Sequence, residues 1–431
     1  MPRSLCGESL CYSRTVRQIF DQRPLRFVFA ANMISMFGSG MNSAAVGWYI
    51  LKATNNEMAL GLLVVLQTIP AMMLIPFSGV MIDREDRRRL VMWLDALRGL
   101  IILAVAILAF EHRVRVWQLY AMNTLVAAGF WMFWPTITAL IQELTPEGQF
   151  VQSNTFLMAG VQGGWLLAGS VVGFMYNHIG LGGVLLIDFS TYVVSFLCYL
   201  FVRKGRHVVM RPEHLREDIR AAENALLRFW HDIREALHFL RDHRPVALLG
   251  TSWALFLGAM MVGGIVTPSL SDRVFHAGAQ GYGWLSAGWG TGAFVSTLYT
   301  APLLAMLGGR RTTGFAMALL SVCMVTAPVS RFLYLAILIY FVMGSARGTG
   351  GVAMNTSLME MVPKHLMGRV QNAFNFVGTS LQLMLALAVG AVAHNVSLVA
   401  GFAIVACVYG LSFAATCVPT GARVAEEVAA E

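Results

Sequence analysis

Runs of mostly apolar residues, each about 20 long, recur along this chain and are closed by charges or by Gly and Pro; that is the length of helix needed to cross a bilayer core. Six fall at 27–51, 58–82, 90–110, 116–141, 150–177 and 183–202. Six more follow a polar interval, at 246–271, 281–307, 312–329, 332–361, 367–394 and 396–418. The chain is 57% hydrophobic and 13% charged, against about 25% charged in soluble domains. An ordinary soluble enzyme, a disordered chain, a disulfide-stapled secreted domain and a nucleic-acid module are excluded together. The expectation is an all-α membrane protein of twelve transmembrane helices in two six-helix bundles. The 41 glycines and 25 methionines suit helices whose backbones approach closely.

The net charge of +8 takes its meaning from position. Lys and Arg accumulate in cytoplasmic loops. With the N-terminus inside, only Lys52, Arg113, Arg115, Arg273 and Arg331 fall outside, Arg98 and Arg347 fall well within spans, and the rest of the 31 basic residues, with Arg369 at the cytoplasmic end of the eleventh span, fall inside. The basic balance is topology, and nucleic acid is not an expected partner. Both termini are expected in the cytoplasm, and, no cleavable leader being visible, the first span is expected to act as the insertion signal. The six cysteines form no C-x-x-C pair and are read as free thiols, with no metal and no cofactor expected.

Five regions follow. Residues 1–26 form a cytoplasmic N-terminal segment, 27–202 an N-terminal six-helix bundle and 203–245 a linker; 246–418 form the C-terminal bundle and 419–431 a cytoplasmic tail. In the linker Leu226, Leu227, Trp230, Ile233, Leu237 and Leu240 recur at helical spacing opposite Arg228, Asp232, Arg234, Glu235 and Arg241, the pattern of an amphipathic helix lying on the cytoplasmic membrane surface. An internal repeat relates the halves. Glu143-x-x-Pro146 with Val151-Gln152 returns as Glu360-x-x-Pro363 with Val370-Gln371, displaced by 217 to 219 residues. Both copies fall in the turn between the fourth and fifth span of a half, as parallel repeats in a transporter would place them.

The loop after the second span reads Gly79-Val-Met-Ile-Asp83-Arg84-Glu-Asp-Arg87-Arg88-Arg89. It resembles the signature G-x-x-x-D-R-x-x-R-R of the major facilitator superfamily. The resemblance implies a cytoplasmic gate: Gly79 for close helix approach, Asp83 facing the positive end of the eleventh helix, and Arg84, Arg87 and Arg88 holding lipid phosphates or carboxylates. The second half keeps only Leu307-Gly308-Gly309-Arg310-Arg311. Asp95-Ala-x-Arg98, Asp188-Phe-Ser-Thr-Tyr192, Val362-Pro363 and Gly368-Arg369-Val370-Gln371 are similar to the branch holding macrolide efflux pumps and the enterobactin exporter. The likeness covers nearly the whole chain. It lacks the Gly-Pro of drug–proton antiporters, since the fifth span reads Gly160, Gly164, Gly169-Ser170-x-x-Gly173.

Ionisable groups inside spans are costly and need a partner or a purpose. Asp95 and Arg98 lie one turn apart and can pair. On helices that the resemblance places at the periphery, Asp95, Arg98 and Asp188 read as structural or coupling charges, as do Glu143 and Glu360 near helix ends. Arg347 sits mid-span in Gly344-Ser-Ala-Arg347-Gly-Thr-Gly350-Gly351 with no acid within a turn or two. It is a candidate to meet an anionic or carbonyl-rich substrate, or an arginine held by backbone carbonyls of a loosened helix. Asn32, Ser35, Ser39 and Asn42 make one polar stripe on the first span; Asn372, Asn375, Thr379 and Gln382 make another on the eleventh. Each stripe lines a cavity or meets another helix. Gln67, Phe130, Trp131, Trp134 and Gln162 are further wall candidates.

No P-loop, H-E-x-x-H or G-x-S-x-G occurs, so no ATPase, zinc protease or serine hydrolase chemistry is expected. The resemblance implies an inner-membrane secondary transporter, expected as a monomer. It would export an amphipathic small molecule such as a drug, macrolide or siderophore by alternating access, with lipid around it and protons or another ion as the coupling species. Lipid or lysolipid translocation is the alternative within transport. A non-transporting receptor or scaffold is the alternative outside it.

Overall fold

The computed structural model describes residues 22–84, 86–145, 150–202, 233–363 and 366–418. Among them the secondary structure is helical, without strands. The spans are α1 (Arg23–Thr54), α2 (Glu57–Arg84), α3 (Arg87–Phe110) and α4 (Val116–Leu144), then Phe150–Leu200, which Gly180 divides into α5 (150–179) and α6 (181–200). They continue as α7 (Arg244–Val274), α8 (Gly278–Leu307), α9 (Gly309–Val329), α10 (Leu333–Met361), α11 (Met367–Asn395) and α12 (Leu398–Cys417). Nine helices among the described residues are long and apolar enough to cross a bilayer.

Local chemistry sets several of these ends. Pro24 at the first turn of α1 has the fixed φ a helix start needs, and α1 begins four residues ahead of the apolar run. Asp86 caps α3 by accepting from the amides of Arg88 at 3.0 Å and Arg89 at 3.2 Å, and Ser397 caps α12 through the amide of Ala400 at 3.1 Å. Gly180, at φ 63° and ψ −173°, holds a conformation open essentially to glycine, which turns one apolar stretch into two spans. The seventh span departs most from its expected form. It is helical over Arg244–Met260, resumes over Gly263–Ser269 and ends in a π turn, Leu270–Val274. Gly263, Gly264 and Pro268 account for the interruption, since glycine and proline are the usual kink formers.

By packing, the chain forms two units, Met1–Asn55 with Leu66–Leu226 and Asn56–Val65 with Leu227–Glu431. In the first, α1 lies along α5 and α6, and α3 packs on α4 and α6. Its core includes Leu25, Met36, Leu94, Phe133, Ile137 and Tyr199. Close approach is made by small residues: a Cβ on Gly40 would lie 2.6 Å from that of Ala168, and one on Gly164 would lie 2.9 Å from the Phe37 amide nitrogen. In the second unit α8 packs on α10, and α9 packs on α10 and α12. There a Cβ on Gly292 would fall on the Phe341 carbonyl oxygen, and one on Gly344 on the Trp289 carbonyl oxygen.

Among the described residues, large apolar side chains stand exposed along the spans. Trp93 on α3 is 74% exposed and Tyr334 on α10 is 85% exposed, while Asp95 and Arg98 on the same α3 are enclosed. That inversion of the soluble pattern is what a lipid solvent demands.

Candidate functional site

In the first unit α1, α3 and α6 bring their polar residues to one place. Arg98 and Asp95 form an ion pair one turn apart on α3, and Ser195 of α6 donates to Asp95 Oδ2 at 2.6 Å. The Arg98 guanidinium lies between two rings, 4.5 Å from the centroid of Phe133 and 4.8 Å from that of Tyr192, a cation–π arrangement. Two glycines leave room for it. A Cβ on Gly129 would come within 2.9 Å of the Arg98 side chain, and one on Gly99 within 3.2 Å of the Tyr192 Cβ. Asp188 of α6 accepts from Asn42 Nδ2 of α1 at 2.9 Å, and Ser39 shares a 2.9 Å hydrogen bond with the Tyr192 hydroxyl. Asp95, Arg98, Asp188 and Asn42 are all buried, and Ser39 is half-buried.

The polar stripe of α1 is therefore divided. Ser39 and Asn42 meet α6. Asn32 and Ser35 are buried, and Asn32 Oδ1 and the Ser35 hydroxyl lack a hydrogen-bond partner among the described residues. Elsewhere in this unit Gln67 donates to Asn123 Oδ1 at 2.9 Å, and Phe130 stacks on Trp134 with centroids 6.4 Å apart. Trp131 meets Phe130 edge-on at 6.0 Å.

Part of the signature loop is described. Arg87 lies 3.6 Å from the Glu143 carboxylate and donates to the Ala139 carbonyl at 3.3 Å. Arg88 donates to the carbonyls of Tyr199 and Leu200, each at 2.8 Å, which satisfies open acceptors at the end of α6. The side chains of Asp83 and Arg84, the contacts of Gly79 and the side chain of Gln162 lie outside the described residues, as does the linker over 203–232.

The second unit repeats one of these devices. Arg310, second residue of α9 as Arg88 is of α3, donates to the Thr416 carbonyl at 2.7 Å and to the Val418 carbonyl at the end of α12. The degenerate loop that lost its aspartate keeps the arginine that caps the last span of its half.

Arg347 of α10 has different company. Its guanidinium lies 4.7 Å from the Trp289 ring centroid, and Nη2 points at the Met260 sulfur at 2.8 Å. Its Nε is buried without a hydrogen-bond partner, and among the described residues no carboxylate pairs with it. Tyr409 lies within electrostatic reach, in ring contact with Phe256, which meets Trp253 in turn. Trp253 Nε1 donates to Asn375 Oδ1 at 3.3 Å, so one member of the α11 stripe joins this aromatic wall. Thr379 and Gln382 are half-buried on the same helix, Asn372 is exposed, and Glu360 is exposed near the end of α10.

Two groupings go beyond the sequence reading. Glu57, first residue of α2 and fully buried, lies 2.9 Å from Arg273 and 3.5 Å from His394 Nδ1. A Cβ on Gly390 would come within 3.0 Å of the Glu57 backbone carbonyl, so glycine lets α11 approach the backbone at the start of α2. The three residues are 337 positions apart from end to end in the chain, and the only local signal was a lone acid opening an apolar run. The helix over 233–242 is tied down by Glu235, which accepts from Arg369 at 2.7 Å.

The model of the Major Facilitator Superfamily matches residues 28–386. The chain is 20% identical to macrolide efflux protein A of Streptococcus pyogenes over 249 residues, covering 58% of this chain and 59% of that protein. It thus spans about three fifths of the length of that relative. It is 23% identical to the uncharacterized MFS-type transporter YfiS of Bacillus subtilis over 387 residues, covering 86% and 87% of the two. In fold it is similar to a mutant of the nucleoside transporter NupG, with a TM-score of 0.71 at 12% identity over 91% of this chain and 98% of that one. A bacterial homologue of the iron transporter ferroportin gives a TM-score of 0.66 at 14% identity, over 92% and 99%. With its apolar spans, its inverted burial of charge and a family match over most of its length, the chain belongs to the major facilitator superfamily of membrane transporters.

Proposed function

We propose that this transporter exports an amphipathic small molecule of the macrolide or siderophore kind. It does so as a monomer in a bacterial inner membrane, by alternating access, with both termini cytoplasmic. The observation that carries the reading is Arg347. A guanidinium within a span is expensive, and here it has a buried, unpartnered Nε and no carboxylate among the described residues. It rests instead on Trp289 and Met260. A cation on an aromatic face, with Trp253 and Asn375 nearby in the same unit, offers one charged donor set and an apolar wall. That combination suits a solute with a carboxylate or several carbonyls on a hydrophobic body. The likeness to a macrolide efflux protein supports the same solute class.

The test is transport of a macrolide by wild type and Arg347 variants in proteoliposomes. A hydrogen bond to a charged group contributes roughly 1.5–3 kcal/mol, so Arg347→Ala is expected to lower transport at limiting solute by about ten- to a hundred-fold. Arg347→Lys should fall between, since an ammonium keeps the charge without the planar fork. Equal transport by wild type and Arg347→Ala removes Arg347 from the solute site.

A further inference from the structure

The buried cluster of α1, α3 and α6 holds two carboxylates, Asp95 and Asp188, and one guanidinium, Arg98. The charges that reach Asp188 are those of Arg98 and Asp95. The other groups facing it are uncharged: Asn42 on α1 and Thr191 on its own helix, with Tyr192, one turn further on α6, bonded to Ser39. From α4, Phe133 and Gly129 pack on Arg98 and bring no titratable group. As ionised, the cluster carries one uncompensated negative charge in a low-dielectric interior. One proton makes it neutral.

Geometry separates the two carboxylates. Both oxygens of Asp95 are engaged, Oδ1 by Arg98 and Oδ2 by Ser195. Asp188 has one close donor, Asn42 on Oδ2. Among the described residues its Oδ1 meets only the Thr191 hydroxyl at 3.5 Å, and that hydroxyl gives its proton to the Asp188 backbone carbonyl at 2.7 Å. The face beside Oδ1 is kept clear by Gly38, whose Cβ, if it had one, would lie 2.5 Å from that oxygen. Asn42 also presents a buried Oδ1 that lacks a hydrogen-bond partner among the described residues. An amide suits either state of the acid: its N–H₂ donates to the carboxylate, and after a flip its carbonyl accepts from the protonated form.

We propose that Asp188 is a proton-binding site of this transporter, taking up one proton as Asp188 passes from carboxylate to acid and returning it as the carboxylate re-forms, with the Asn42 amide turning over between the two states. The role in coupling rests on the transporter reading; the proton binding does not. Ser39, half-buried and bonded to Tyr192, is the member of the cluster least enclosed.

The test needs no solute. Infrared difference spectra of the purified full-length protein in detergent, between acidic and alkaline buffer, are expected to show, apart from the lower-frequency absorption of exposed carboxyls, the high-frequency carbonyl stretch of one enclosed protonated carboxyl. Asp188→Asn should remove that band, and Asn42→Ala should shift its frequency. A band that survives Asp188→Asn, or a wild-type spectrum without one, overturns the proposal. Should Asp188→Asn fail to fold, Asn42→Ala decides, because a band it leaves unmoved does not come from Asp188. In proteoliposomes carrying the wild type, an imposed proton gradient should drive uphill accumulation of erythromycin, and Asp188→Asn should reduce this to the level of protein-free vesicles. Uphill accumulation equal to wild type in that variant overturns the coupling role. Erythromycin excluded even by wild type contradicts the macrolide reading and leaves the infrared band to decide proton binding.

Discussion

Arg98→Met is expected to be the most damaging single substitution in the first unit, costing roughly 3–5 kcal/mol, the range for removing one partner of a buried ion pair. Met fills much of the space between Phe133 and Tyr192, so the loss is electrostatic more than steric. Asp95 would be left with only Ser195, and the enclosed cluster would hold two carboxylates and no cation. The readout is the thermal midpoint of the detergent-purified protein and its yield as a monodisperse peak. Both should fall sharply, and a second substitution, Asp95→Asn, should recover a large part of the loss, because the two side chains form one unit. A variant as stable as wild type contradicts the assignment of Arg98 as the charge that holds this cluster.

Gly344→Val is the corresponding expectation for the second unit. The α8–α10 seam uses glycines four apart on each helix: Gly288 and Gly292 of α8 meet Ile337 and Phe341 of α10, and Gly344 and Gly348 of α10 meet Trp289, Ala293 and Ser296 of α8. A Cβ at Gly344 would fall on the Trp289 carbonyl oxygen and within 3.0 Å of the Ala293 nitrogen. Both obstacles are backbone, so the helices must separate, at a cost of about 3 kcal/mol or more, the upper end for overpacking. Because Trp289 also carries the Arg347 guanidinium, transport should fail along with stability. Gly47→Ala is the contrast: nothing lies within 4 Å of its Cβ position, and it should gain up to about 1 kcal/mol from helix propensity. A thermal midpoint for Gly344→Val equal to that of Gly47→Ala would contradict the seam.

How much of this could be read beforehand follows from the range of each interaction. The spans were legible because lipid requires about 20 apolar residues regardless of tertiary context. The Asp95–Arg98 pair was legible because both ends lie on one helix turn. What Asp188 meets was not, since Asn42 lies 146 residues away, and no period within one helix reveals which neighbour it faces. The α1 stripe shows the same limit: spacing put Asn32, Ser35, Ser39 and Asn42 on one face, but only packing shows that Ser39 and Asn42 answer α6. Arg88 read as a holder of lipid phosphates or carboxylates and Arg310 as part of a degenerate loop, because their acceptors are backbone carbonyls, which every sequence position possesses. Glu57 went unmarked for the same reason as Asp188, its partners Arg273 and His394 being distant in sequence. The break at Gly180 was legible to within a few residues, since one apolar run ends at 177 and the next begins at 183, but hydropathy could not show the single positive φ that makes it.

The central claim is that this chain moves a solute through the membrane with no energy source of its own, and counterflow addresses it most directly. Proteoliposomes loaded with an unlabelled mixed panel of macrolides and siderophores, then diluted into trace labelled solute, should show transient uptake above the external level for at least one compound. The overshoot should be absent from empty vesicles. Intact, correctly folded protein that gives no overshoot with any member of the panel, at acidic or at neutral pH, would contradict the account.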